Sequence, residues 1–415
     1  MNPKSKTTEP EPVAVAASAA VLAAVFGNYD ILREILLRLG FPTCLVRAAA
    51  VCKDWLKIAS DPDFLRRFRD LHPPRLLGFY VSPQLRFVPL PQPPELASVV
   101  RLCSRFPMSA GVSSVLDCRN GRVLTHPGAL YAICLPLRPD LVLPTFPPSP
   151  SPITQEGSQD LGILYYSYVW AMVGQAMLLP EDGGDGLSIT VVSLMLLDDR
   201  FWVHVCESQA GTWVGEGRKS NTIDALPEEE CEPCSNFALL SCGKVYMIGR
   251  SKHILELDLA STSLVSIELP EGVEYDADEV NLRLSRAEGV GFYLVHVTKG
   301  FKLCVWQYSM DHSGAADWKL VDTICLHEVL AQLGDPAWLS EGAVCNVAAV
   351  GDNAEFVFFK VERKLFYLHV SSRAVEKVIG LTLNNSYLLA VNPLMMPWPP
   401  TFPVIKNTPI SDQIE

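Results

Sequence analysis

Cys242-Gly243-Lys244-Val245-Tyr246-Met247-Ile248-Gly249, then Ile254-Leu255-Glu256-Leu257-Asp258-Leu259, then Leu264 to Leu269 ending at Pro270, sets the architecture of most of this chain. It reads as a small residue and a glycine, an apolar strand, a polar turn, a second apolar strand ending in Asp, and a closing strand. Short runs rich in β-branched and aromatic residues, bounded by turn residues, are strands. A weaker copy runs through Asp117-Cys118-Arg119-Asn120-Gly121-Arg122-Val123-Leu124 and on to Tyr131 through Leu135. Another spans Phe356 to Phe359, Leu365 to Val370 and Val375 to Ile379. A recurring unit of a few antiparallel strands is the signature of blades around an axis.

Similar runs fill the chain on both sides of that unit. They include Leu76 to Val81, Val112 to Leu116, Ile163 to Met172, Ile189 to Leu197, Phe201 to Val205, Phe237 to Leu240, Gly291 to Val297 and Leu303 to Tyr308. The best helical candidate among them is Leu326 to Leu333. Strands without helical crossovers argue for a sandwich, barrel or propeller. The repetition favours a propeller, and units of about 40 to 50 residues over 76–392 predict six to eight blades. Pro89 to Pro94, Pro144 to Pro152 and Pro393 to Pro403 read as edges, linkers or tails, because proline lacks the N–H of a sheet ladder. Glu181 to Gly186 reads as a turn leading into a strand, unlike a phosphate cradle, which opens a helix.

Upstream the period changes. Ile31, Leu32, Ile35, Leu36 and Leu39 recur at helical spacing, with Asn28 or Asp30 as the cap and Gly40 and Pro42 as the stop. Thr43 can cap a second helix carrying Leu45, Val46 and Ala49. A third presents Val51, Cys52, Trp55, Leu56 and Ile58, closed by Asp61-Pro62. Three such short helices cannot enclose all their apolar surface, so the module is expected to complete its core against a partner. The predicted fold class is therefore α+β multidomain. Residues 1–26 form an Ala/Pro-rich leader, 27–72 a three-helix module, 76–392 the all-β domain and 393–415 a Pro-rich tail.

Composition narrows the function classes. Of 415 residues, 49% are hydrophobic, enough for a large core, and the formal charge is -12. That balance argues against a nucleic-acid partner, which calls for a basic surface. Arg66, Arg67 and Arg69 form the one local basic cluster and read as a solvated helix face. The apolar stretch 13–26 is shorter than the roughly 18 residues of a membrane span, and neither membrane nor secretory sorting is expected. Twelve cysteines without a disulfide-like spacing fit reduced thiols and a cytoplasmic or nuclear location. Cys231-x-x-Cys234 lacks the second ligand pair of a structural zinc site, so no metal or cofactor is predicted. No nucleophile elbow, metalloprotease helix, Walker loop or dinucleotide fingerprint occurs, and scattered histidines such as His204 and His296 read as packing residues. Paired acids such as Asp198-Asp199 read as turn caps. Catalysis is not expected.

The stretch from Tyr29 to Phe64 resembles the F-box. Its blocks are Asp30-Ile31-Leu32-Arg33-Glu34-Ile35-Leu36-Leu37-Arg38-Leu39, Leu45-Val46-Arg47, Val51-Cys52-Lys53-Asp54-Trp55 and Asp61-Pro62-Asp63-Phe64, in the family's order. Gly27-Asn28 stands where the family has Leu-Pro, a dipeptide that touches the adaptor, and Phe26 is the apolar residue nearest to replace it. The body is similar to the kelch-like propeller domains of plant-type F-box proteins. Arg250 takes the place of the second kelch glycine, and the closing strand lacks the usual Trp. The resemblance implies a non-catalytic substrate receptor of an SCF-type (Skp1–cullin–F-box) E3 ubiquitin ligase, supporting protein ubiquitination. Its Skp1-like adaptor would meet Ile31, Leu32, Ile35, Leu36, Leu39, Leu45, Val46, Val51, Cys52 and Trp55, and would link the chain to cullin and RING subunits. Some of these residues must instead form the module's internal core. The β domain would hold the target protein, with Trp170, Trp202, Trp213, Trp306, Trp318 and Trp338 as possible anchors or as blade core. A scaffold or co-regulator without ligase activity is the alternative reading.

Overall fold

The computed structural model describes residues 25–82, 86–105, 112–127, 132–138, 175–178, 189–197, 200–209, 212–217, 233–249, 252–261, 263–276, 280–289, 291–310, 316–334, 343–380 and 390–402. The leader up to residue 24, the expected strand Ile163–Met172, the loops 144–152 and 181–186, Asp198-Asp199, Cys231, Trp170, Trp338 and the tail beyond residue 402 lie outside them. The chain divides into two units, 1–75 with 397–415, and 76–396.

The helical unit holds α1 (Tyr29–Leu37), α2 (Pro42–Ala49), α3 (Lys53–Ala59) and α4 (Pro62–Leu71). Asn28 Oδ1 accepts from the N–H groups of Asp30 at 3.0 Å and Ile31 at 3.1 Å, which starts α1. Among the described residues of 27–72, the expected three helices are thus four. Asp61-Pro62, read as a terminator, opens α4, with Asp61 Oδ1 accepting from Phe64 N at 2.8 Å and Pro62 in the first turn. An acidic cap followed by proline at the first helical position is a start signal, because that proline gives up an N–H with no helical partner. Leu32, Leu36, Leu37, Leu45, Ala49, Ile58, Ala59, Phe64 and Phe68 form one buried cluster, and Trp398 and Phe402 pack against it. The Trp398 ring lies parallel to that of Phe68, 6° apart in plane and 5.9 Å between centroids. Residues 397–402 therefore complete this core. His72 Nε2 meets the Leu37 carbonyl at 2.7 Å, and Arg67 pairs with Glu34 at 3.2 Å, tying α4 to α1.

The sheets of the larger unit are all antiparallel. Its sheets are β2-β1-β22 (Arg86–Pro89, Leu76–Ser82, Ala390–Met395), β3–β5 (Val112–Arg119, Arg122–Pro127, Ala132–Cys134) and β6–β9 (Gln175–Leu178, Ile189–Leu197, Arg200–Gln209, Thr212–Gly217). The others are β10–β13 (Pro233–Ser241, Lys244–Gly249, His253–Asp258, Leu264–Glu268), β14–β17 (Leu282–Arg286, Phe292–Val297, Lys302–Met310, Ala316–Cys325) and β18–β21 (Cys345–Val350, Phe356–Val361, Lys364–His369, Val375–Gly380). Strand β22 lies beside β3, then β3 beside β6, β6 beside β10, β10 beside β14, β14 beside β18, and β18 beside β22. The sheets thus close a ring, the arrangement of a propeller.

Among the described residues, five blades are each cut from one continuous run of chain, fewer than the six to eight expected from length. The composite sheet β2-β1-β22 draws strands from both ends of the unit and completes the circle. Dividing length by repeat size also ignored chain used between sheets, such as helix α5 (Ala97–Arg105). Asn120-Gly121 and Cys242-Gly243 form equivalent two-residue hairpin loops, with φ of 45° and 73° in the first and 50° and 73° in the second. Both positions require positive φ, which glycine adopts without strain, and this turn matches the strand twist. Apolar clusters fill the gaps between sheets, as where Tyr246 meets Phe292 at 4.5 Å and Phe79 meets Phe358 at 4.8 Å. Leu326 to Ala331 forms helix α6, within the span expected to be helical. Among the described residues no helix is long and apolar enough to cross a membrane.

Candidate functional site

The apolar positions of α1 and α2 separate by helical phase. Leu32 and Leu36, one turn apart, point inward with Leu45 and are essentially inaccessible. They form the module's own core. Ile31 keeps 44% of its surface exposed, Val51 64%, and Cys52 is exposed too. Ile35, Leu39, Val46 and Trp55 are half-buried, and Leu39 and Trp55 also touch the inner cluster. The ten residues expected to meet an adaptor therefore divide into three core residues and seven that reach solvent wholly or in part.

Two further aromatics join the exposed set. Phe26, 44% exposed, sets its ring 5.6 Å from that of Trp55, and Tyr29 is 53% exposed. At the unusual opening, Asn28 serves as the helix cap while Phe26 supplies apolar contact to Trp55. Exposed Asp30, Arg38, Arg47, Lys53 and Asp54 surround these residues in sequence. Large apolar side chains with polar neighbours mark an association surface, since water gains when such groups are covered. Arg66 pairs with Asp63 at 3.0 Å and Arg67 with Glu34, so these two members of the basic cluster are salt-bridged on the helix surface.

In the propeller, Trp306 and Trp318 are half-buried against Phe292 and Tyr308. Trp318 Nε1 donates to the Glu268 carbonyl at 2.8 Å, joining β17 to β13. Both are blade packing residues. Trp202 and Trp213 lie on β8 and β9. His296 is buried in β15, and burial pushes its pKa down, which favours the neutral ring. Among the described residues no His, Cys, Asp and Glu group could hold a metal, and the nine cysteines whose side chains are described are free thiols. Burial pushes Cys103 up to about 12 and raises Cys118 strongly, so neither is a reactive thiolate at neutral pH. Sequence reasoning missed Trp398 and Phe402 as parts of the helical unit. Their only signal was two large aromatic residues in a proline-rich run.

Comparison with known proteins follows this division. A family described as F-box-like matches residues 29–72, and one described as F-box protein AT5G49610-like, beta-propeller, matches residues 114–402. A search of curated proteins returned no match. Among solved structures, the Cps50 (Swd1) β-propeller domain of Myceliophteria thermophila is 9% identical, with 65% of this chain and 73% of that one covered at a TM-score of 0.35. The Nup133 β-propeller domain of Vanderwaltozyma polyspora is 11% identical, with 68% and 69% covered at a TM-score of 0.33. The fission yeast SREBP-SCAP binding domains are 9% identical, with 71% and 75% covered at a TM-score of 0.32. An F-box-like module at 29–72 followed by this β-propeller makes the chain a member of the AT5G49610-like F-box protein family.

Proposed function

We propose that this chain is the substrate-recognition subunit of an SCF-type E3 ubiquitin ligase. The helical unit docks on a Skp1-like adaptor, which links it to cullin and RING subunits, and the propeller holds the target protein. The observation that carries the reading is the uncovered apolar set Phe26, Tyr29, Ile31 and Val51 on a module of the F-box family. Covering four such side chains contributes roughly 1 to 2 kcal/mol each toward offsetting association costs, to which the half-buried Ile35, Leu39, Val46 and Trp55 add. The chain supplies no bond chemistry in this reading. It raises the local concentration of a target lysine near a charged E2, turning a chance encounter into an intramolecular one. The buried free thiols fit a reducing cytoplasmic or nuclear setting.

The test is calorimetric titration of the full chain with a purified Skp1-family adaptor, followed by co-purification with cullin. Sub-micromolar binding that is abolished by Val51→Asp and Ile31→Asp supports the reading. A folded full chain that does not bind the adaptor overturns it.

A further inference from the structure

Two of the blades' first strands, β3 and β14, end in arginine. Arg119 at the end of β3 and Arg286 at the end of β14 both donate to the Leu240 carbonyl in β10, from Nη1 at 3.4 Å and Nη2 at 3.3 Å. Arg119 spans the ring to do so, because the β6–β9 sheet stands between its own sheet and that of β10. Two guanidinium groups thus meet at one acceptor, with side chains only 17% and 20% exposed. Like charges this close and partly withdrawn from water repel more strongly than they would in bulk solvent.

Their carboxylate partners are unequal. Asp117 Oδ2 lies 2.9 Å from Arg119 Nε, whereas Asp352 Oδ2 is 4.0 Å from Arg286 Nη1 on a side chain 72% exposed. Arg286 Nε is buried without a hydrogen-bond partner. The neighbouring turns are drawn into the same end of the ring. Cys242 Sγ donates to the Gly289 carbonyl at 3.4 Å, and Glu288 N donates to Asn353 Oδ1 at 2.7 Å. The paired forks therefore sit on a fixed frame, and the buried Arg286 Nε is an N–H donor to spare.

We propose that the Arg119–Arg286 pair is a binding site for a single oxyanion group, carboxylate or phosphoryl. Planar forks match such groups with two parallel N–H···O bonds, and an anion between them relieves their repulsion. The site needs no ligase assembly, so it stands or falls apart from the function proposed above.

The test uses the full chain at low ionic strength with inorganic phosphate as the probe, followed by phosphorus NMR line broadening, and acetate as a competitor. Saturable phosphate binding is expected, at least tenfold weaker in Arg286→Gln and Arg119→Gln. Arg66→Gln on the helical unit should bind like the parent. Asp352→Asn, which removes the internal competitor and keeps both arginines, should bind more tightly. Displacement by acetate identifies a general oxyanion site, and resistance to acetate identifies a phosphoryl site. The proposal is overturned if the parent shows no saturable binding, or if a folded Arg286→Gln binds equally well. Should the glutamine variants fail to fold, an unchanged affinity in Asp352→Asn overturns it.

Discussion

Replacing Trp398 with alanine tests the claim that a segment more than 300 residues downstream completes the helical unit. The indole lies flat on Phe68, which is fully buried, and Phe68 also stacks on Phe64 at 6.1 Å. Burying a large apolar side chain contributes about 1.5 to 3 kcal/mol, and an aromatic pair adds about 0.5 to 1.5 kcal/mol. Trp398 is itself only half-buried, so a loss of about 2 kcal/mol is expected. A helical module of this size holds only about 3 to 7 kcal/mol in total. Hydrogen exchange by mass spectrometry on the full chain should show amides of 29–71 exchanging roughly 30-fold faster, the rate equivalent of about 2 kcal/mol. Peptides from β10–β13 should keep their protection. Trp398→Phe, which retains a ring over Phe68, should recover about half of the effect. Unchanged exchange over 29–71 in Trp398→Ala would refute the packing argument.

Val51→Asp should leave the fold intact, since the side chain is 64% exposed, and weaken adaptor binding roughly 30-fold in calorimetry. Leu36→Asp buries a charge in the core and should instead unfold the helical unit, read as lost helical circular dichroism. Asp322 receives two hydrogen bonds from Arg373, at 2.7 and 2.8 Å, and these hold its carboxyl below the usual value. A depressed carboxylate stabilises above its unfolded value of 3.8 and loses that contribution as pH falls through the folded value. Asp322→Asn should therefore cost about 0.5 to 1 kcal/mol at neutral pH, allowing for partial exposure, and the gap in urea midpoints should close below about pH 3.8. Gly291 has a φ of +112°, and a Cβ there would overlap the Tyr308 carbonyl oxygen. Gly291→Ala should destabilise the propeller by about 2 to 4 kcal/mol in a denaturant melt.

Much of this molecule was legible in the one-dimensional pattern, for local reasons. The hairpin loops Asn120-Gly121 and Cys242-Gly243 carry their own conformational demand, and the strands flanking them follow from adjacent apolar runs. The F-box blocks were readable because helical phase and spacing are short-range properties. Asp61-Pro62 was misread because proline both ends one helix and begins the next, and only the hydrogen bond from Phe64 N to Asp61 distinguishes the roles.

Three outcomes depended on contacts between distant parts of the chain. Helical period places Ile31 and Leu32 side by side, yet only packing against α2 and α4 leaves one exposed and the other buried. The closing sheet pairs Phe79 with Pro393, a register that no local signal specifies because it depends on the ring returning to its starting point. Trp398 above Phe68 and Arg119 beside Arg286 are likewise juxtapositions across long sequence separations. Local periodicity and turn chemistry determined which segments became helices and strands. Which faces were buried, and which charges were forced together, followed from burying apolar surface over the whole chain at once, a constraint that no single segment contains.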